Sequence, residues 1–179
     1  MRDSTRLDDL GPRICIMGPS NSGKSTLAVA IGRARGLTPI HLDVLYHLPN
    51  TDWHPRPYED FVALHDEVIA GTNWVIEGNY SRCLPQRLAR ATGLILLDVP
   101  SLTSLLRYMR RSWFERNRLG SLAGNKDSVK WAMIRHITVT TRANRKHYDE
   151  IFEHINLPKI KLSSTRELAE FYRRESLDR

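Results

Sequence analysis

Cysteine is scarce in this 179-residue chain. Cys15 and Cys83 form no CxxC pair and supply no disulfide framework, so a reducing compartment, the cytoplasm, is the expectation. Long apolar runs are missing too. Leu94-Ile95-Leu96-Leu97 is among the longest, far short of the roughly 20 residues a membrane-crossing helix needs, and no membrane partner is expected. Residues 1–9 are polar and lack the apolar stretch of a secretory signal. There is no internal repeat, low-complexity tract or linker-like shift in composition. One domain spanning 1–179 is therefore expected, long enough to bury a real core.

Acids are scarce in one place. Between Leu102 and Lys146, eleven Lys and Arg stand against only Glu115 and Asp127, a local balance of +9. The chain as a whole carries +7, so the remainder is slightly acidic at −2. Basicity confined to one region suits a phosphorylated small molecule or a nucleic acid.

What is present is an alternation of short apolar runs with helix-spaced stretches. Arg13-Ile14-Cys15-Ile16-Met17, Pro39-Ile40-His41-Leu42, Trp74-Val75-Ile76-Glu77, Leu94 to Asp98 and Ile160-Lys161-Leu162 read as five strands. A helix starting at Lys24 and stopped by Gly36 is expected after the first. Beyond Pro57, Phe61, Leu64 and Val68 mark the apolar side of another. Pro100-Ser101 opens a helix with Leu102, Leu105, Leu106 and Met109 inward. Trp131 and Ile134, then Ile151, Phe152 and Ile155, mark a later helical stretch, and Ser164 with Glu167 caps the last helix. Strands alternating with helices imply an α/β fold in three layers, with a parallel sheet covered on both faces.

Between the first strand and first helix stands Gly18-Pro19-Ser20-Asn21-Ser22-Gly23-Lys24-Ser25-Thr26, which fits G-x-x-x-x-G-K-[ST] in the context that motif requires. Glycines let successive N–H groups turn inward on phosphate oxygens, and the helix start adds its dipole. Lys24 then reaches the β- and γ-phosphates of ATP, Ser25 ligates Mg²⁺, and Thr26 lies near the α-phosphate.

The wider pattern resembles the adenylate-kinase-like branch of P-loop proteins, most closely the DNA topology modulation protein (FlaR-like) family. The resemblance rests on Ile16-Met17-Gly18-Pro19-Ser20, Ile40-His41-Leu42-Asp43-x-Leu45-Tyr46, Trp74-Val75-Ile76-Glu77-Gly78-Asn79-Tyr80 and Leu96-Leu97-Asp98-Val99-Pro100, with Arg107, Arg110 and Arg111 behind. It runs from about Ile14 to Phe171. It implies that Glu77 stands where adenylate kinases carry a Mg²⁺-holding aspartate, and that Asp43, at a strand end, orients or deprotonates an acceptor hydroxyl. Asn79, Tyr80 and Arg82 occupy the acceptor side, though Gly-Asn-Tyr-Ser-Arg departs from the Gly-Phe-Pro-Arg of adenylate kinases and argues against AMP. Asp98 reads as structural.

Arg107 and Arg111, four apart on one helical face, resemble the arginines framing a lid, here a helical basic region inserted at about 112–127. The insertion holds no cysteine, so no zinc-bound lid is expected. Arg135, Arg142 and Arg145 are candidates to close from the far side. These residues imply a kinase that transfers the γ-phosphate of Mg–ATP to a small-molecule or nucleotide acceptor, with ATP hydrolysis as a side reaction. The alternative is a nucleic-acid-associated ATPase or regulator using the basic 102–146 region.

Overall fold

The computed structural model describes residues 5–51, 53–99 and 141–178, the side chains of 141–144 excepted. Five strands, β1 (Arg13–Met17), β2 (Thr38–His41), β3 (Trp74–Glu77), β4 (Gly93–Leu97) and β5 (Lys159–Leu162), form one sheet in the order β2-β3-β1-β4-β5. Every pairing is parallel. The three inner strands read as unbroken apolar runs because both of their faces are covered. β1, β3 and β4 are buried almost throughout, whereas the edge strand β2 is half open.

Strand alternation sends successive side chains to opposite faces and separates two cores. On one face Ile14, Ile16, Val75, Ile95 and Leu97 pack against α1 (Lys24–Arg35) and α6 (Thr165–Arg174), through Leu27, Ile31, Leu168 and Phe171. On the other, Cys15, Met17, Trp74, Ile76, Leu94 and Leu96 meet α2 (Leu42–Tyr46), α3 (Tyr58–Ala70), α4 (Leu84–Arg90) and α5 (Thr141–His154). This is the expected three-layer α/β architecture. Both cysteines are free and buried. No helix among the described residues is long and apolar enough to cross a membrane.

Several local expectations are corrected. The second strand ends at His41, so Leu42 and Asp43 open a short helix; the apolar Leu42 that prolongs the strand in the sequence is the buried anchor of α2. The buried face of α3 is Phe61, His65 and Ile69, with Leu64 and Val68 only half-buried, because a histidine takes the inward position one residue on. Helix α4 has too few residues to show a period and escapes sequence reading. At α6, Ser164 Oγ accepts the Glu167 N–H at 3.1 Å, but Glu167 reaches back to the N–H of Ser163 rather than Ser164. The expected helices around Leu102–Met109 and Trp131–Ile134 lie outside the described residues.

Candidate functional site

The carboxyl ends of β1 and β3 lie side by side, with Ile16 opposite Glu77, and β2 brings His41 opposite Glu77 from the far side. Such an edge is where open α/β sheets bind ligands. The loop 18–23 leaves β1 here and feeds α1. Gly18 has φ +142°, and a Cβ there would overlap the carbonyl oxygen of Leu97, so only glycine lets the loop start this close to β4. Gly23 caps α1 in the left-handed region, and no acid occupies the first turn of the helix.

Lys24 is buried, and its Nζ donates to the carbonyls of Gly18 at 2.9 Å and Pro19 at 2.7 Å, folding the ammonium back over the loop. Next to it, the Ser25 hydroxyl donates to Glu77 Oε1 at 3.0 Å. Glu77 is buried, and alternation along β3 turns it toward the α1 face with Val75. Burial alone would raise its pKa. The hydrogen bond from His41, the charge of Lys24 and the bond from Ser25 more than offset that, and the carboxyl stays below its usual range.

A second carboxylate sits at the same edge. Asp43, in the first turn of α2, accepts the Tyr80 hydroxyl at 2.7 Å. Burial, then the field and hydrogen bond of Asp43, hold the Tyr80 hydroxyl firmly protonated. Tyr80 packs on Tyr46 and Phe61 with ring centroids 5.0 and 5.1 Å apart, which fixes the donor and hence the acid. Asp43 and Tyr80 are therefore brought together. Arg82 is not joined to them by any described contact: its guanidinium lies 4.5 Å over the Tyr58 ring.

Asn79, expected on the acceptor side, turns to the loop instead. Its Oδ1 accepts the Gly18 N–H at 3.3 Å and its Nδ2 donates to the Gly18 carbonyl at 2.9 Å. Beneath Asn79 lies a residue that sequence reading missed. Arg87 is 1% exposed, and its Nη2 donates to the carbonyls of Gly78 at 3.0 Å and Asn79 at 3.3 Å. Its Nη1 has no hydrogen-bond partner among the described residues. Burial lowers the pKa of Arg87, and burial pushes the neighbouring Cys15 thiol up to about 11 against the pull of the guanidinium. No motif announces Arg87; an arginine on a short helix reads as surface charge.

Asp98, just past β4, binds Arg145 Nε at 2.6 Å and lies 3.8 Å from Lys161 Nζ, in keeping with a structural role. Of the three far-side arginine candidates, Arg145 is thus engaged by Asp98. Arg135 and the Arg142 side chain lie outside the described residues, as do Arg107, Arg111 and 112–127.

No group of three or more His, Cys, Asp or Glu able to hold a metal occurs among the described residues. Mg²⁺ does not require one: it keeps several waters and takes one or two protein oxygens plus substrate phosphates. The adjoining oxygens of Ser25 and Glu77 fit that need.

A five-stranded parallel sheet with a G-x4-G-K-S loop between β1 and α1 is a P-loop NTPase fold. No protein-family model matches this chain, and no curated protein does. Among solved structures it aligns with a sugar kinase from Janibacter sp. HTCC2649 at 16% identity and a TM-score of 0.48, covering 93% of each chain. It aligns with a gluconokinase from Sinorhizobium meliloti 1021 at 17% identity and 0.44, over 82% of this chain and 99% of that one. A deoxyadenosine kinase from M. mycoides, bound to dCMP and dCDP, aligns at 12% and 0.45, over 83% and 88%.

Proposed function

We propose that this chain is a P-loop phosphotransferase that holds Mg–ATP on residues 18–26 and passes its γ-phosphoryl group to a small acceptor beside Asp43. The observation that carries the reading is the placement of two acids at one sheet edge, each held by a different hydroxyl. Glu77 is bonded to Ser25 next to Lys24, while Asp43 is bonded to Tyr80 on the neighbouring loop.

Backbone N–H groups of the loop and the α1 N-terminus receive the phosphates, and Lys24 moves its charge from the loop carbonyls to the β- and γ-oxygens. Magnesium, held by Ser25 and Glu77, would neutralise charge on those oxygens. Asp43 accepts the proton of an acceptor hydroxyl while Tyr80 keeps the carboxylate oriented. The acceptor oxygen bonds to the γ-phosphorus as the bond to the β–γ bridging oxygen breaks, and ADP leaves. Arg107 and Arg111 from the basic lid region supply further charge, and 112–127 excludes water. Hydrolysis of ATP is the side reaction when no acceptor is bound. Among families, the motif order favours the DNA topology modulation protein (FlaR-like) group, with 1–179 as one kinase-like domain in the cytoplasm.

The +9 region favours a second reading, a nucleic-acid-associated ATPase. Transfer of label from γ-labelled Mg–ATP to a panel of sugars, nucleosides and nucleotides separates the two. The kinase reading expects one class to accept label, with Asp43→Asn cutting transfer by about 100-fold while hydrolysis by water persists. Label appearing only as inorganic phosphate, with turnover stimulated by duplex DNA and lost steeply with salt, would establish the second reading instead.

A further inference from the structure

Glu77 uses one oxygen for two donors. Oε1 accepts Ser25 Oγ at 3.0 Å and His41 Nδ1 at 2.9 Å, and no hydrogen bond from the described residues reaches Oε2. An ionised carboxylate only accepts, so the His41 Nδ1 carries the proton. His41 is the last residue of β2 and Glu77 the last of β3, and the two are directly opposite in the sheet register. Their side chains are 14% and 6% exposed. The donor therefore comes from a strand end rather than a loop, and its ring has few other places to go.

A glutamate has one more torsion than an aspartate, and rotamer freedom left in a ligand must be removed when the ion arrives. Ser25 alone does not remove it, since the same hydroxyl is asked to bind the ion. We propose that His41 is the positioning residue of the metal site, pinning Glu77 Oε1 through its Nδ1–H so that Oε2 is the oxygen offered to Mg²⁺ or to a water bound to it. This rests on the reading that Ser25 and Glu77 hold the metal of Mg–ATP. Partners behind a ligating carboxylate orient it, and their loss typically weakens metal affinity by about 10- to 100-fold.

Mn²⁺ serves as the probe. Its dissociation constant from the ternary complex with ATP is read by electron paramagnetic resonance on the full chain. Wild type is compared with His41→Ala, His41→Asn, Ser25→Ala and Glu77→Gln. His41→Ala is expected to weaken Mn²⁺ binding about tenfold, with metal-free ATP affinity unchanged. His41→Asn, whose amide N–H can stand in for Nδ1–H, is expected to restore most of it. If Ser25→Ala and Glu77→Gln weaken Mn²⁺ and His41→Ala does not, the positioning role is overturned and the metal site stands. If the loss in His41→Ala is not restored by His41→Asn, it belongs to packing and the role is likewise overturned. If none of the three weakens Mn²⁺, the metal site itself is wrong.

Discussion

Asn79 grips Gly18 by both of its polar groups, taking the N–H at 3.3 Å and giving its own N–H to the carbonyl at 2.9 Å. The first residue of the phosphate loop is thus fixed from the loop that follows β3, not only from within its own turn. Asn79→Asp keeps the acceptor but sets a carboxylate oxygen against the Gly18 carbonyl. A loss of about 1–2 kcal/mol is expected, seen as a melting temperature lower by about 2–8 °C, with ATP affinity down about tenfold. Thermal melts and ATP titration check it; an unchanged melting temperature would show that the grip contributes nothing.

Arg87 supports that grip from below, with its guanidinium under the carbonyls of Gly78 and Asn79. Gly78 itself has φ +129°, and a Cβ there would sit 2.8 Å from that of Leu42, so the turn has no slack to re-aim those carbonyls. Arg87→Ala removes a buried side chain and leaves two acceptors without donors. A loss of about 3–4 kcal/mol in urea unfolding is expected, from the cavity and the orphaned groups together. A loss under about 1 kcal/mol would mean that relief of the buried charge balances both.

His65 gives the fold an acid-side weakness. It is fully buried, with Nδ1 bonded to Asp66 Oδ1 at 3.1 Å and Nε2 without a partner among the described residues. Burial first, then the Arg87 field, lower its pKa from 6.5 despite Asp66. Below that value the unfolded chain takes up a proton that the folded chain refuses, so stability falls as pH drops. The fall continues until the lowered folded pKa is passed. The contribution of one such group has a slope of at most about 1.4 kcal/mol per pH unit. His65→Leu should remove this fall over the window that runs from pH 6.5 down to the lowered folded value. Urea midpoints across that window with equal slopes in both proteins would refute the assignment.

The layers and the loop were legible because their signals are local. Buried parallel strands read as apolar runs, and the phosphate loop is a contiguous motif between a strand and a helix. The contacts that shape the site are not local. Which residue faces Glu77 depends on β2 lying beside β3, and His41↔Glu77 emerges only from the register. Asn79 and Arg87 act through backbone groups, which leave no mark in a motif. Leu42 misled because one apolar residue fits a strand end and a helix start equally well.

Calorimetric titration with Mg–ATP tests the central claim, that 18–26 forms a working phosphate site, most directly. Wild type is expected to bind one equivalent. Lys24→Ala loses a charge-assisted contact worth roughly 3 kcal/mol, which weakens affinity by about 100-fold. Equal affinity in the two proteins, or no saturable binding by wild type, would contradict the account.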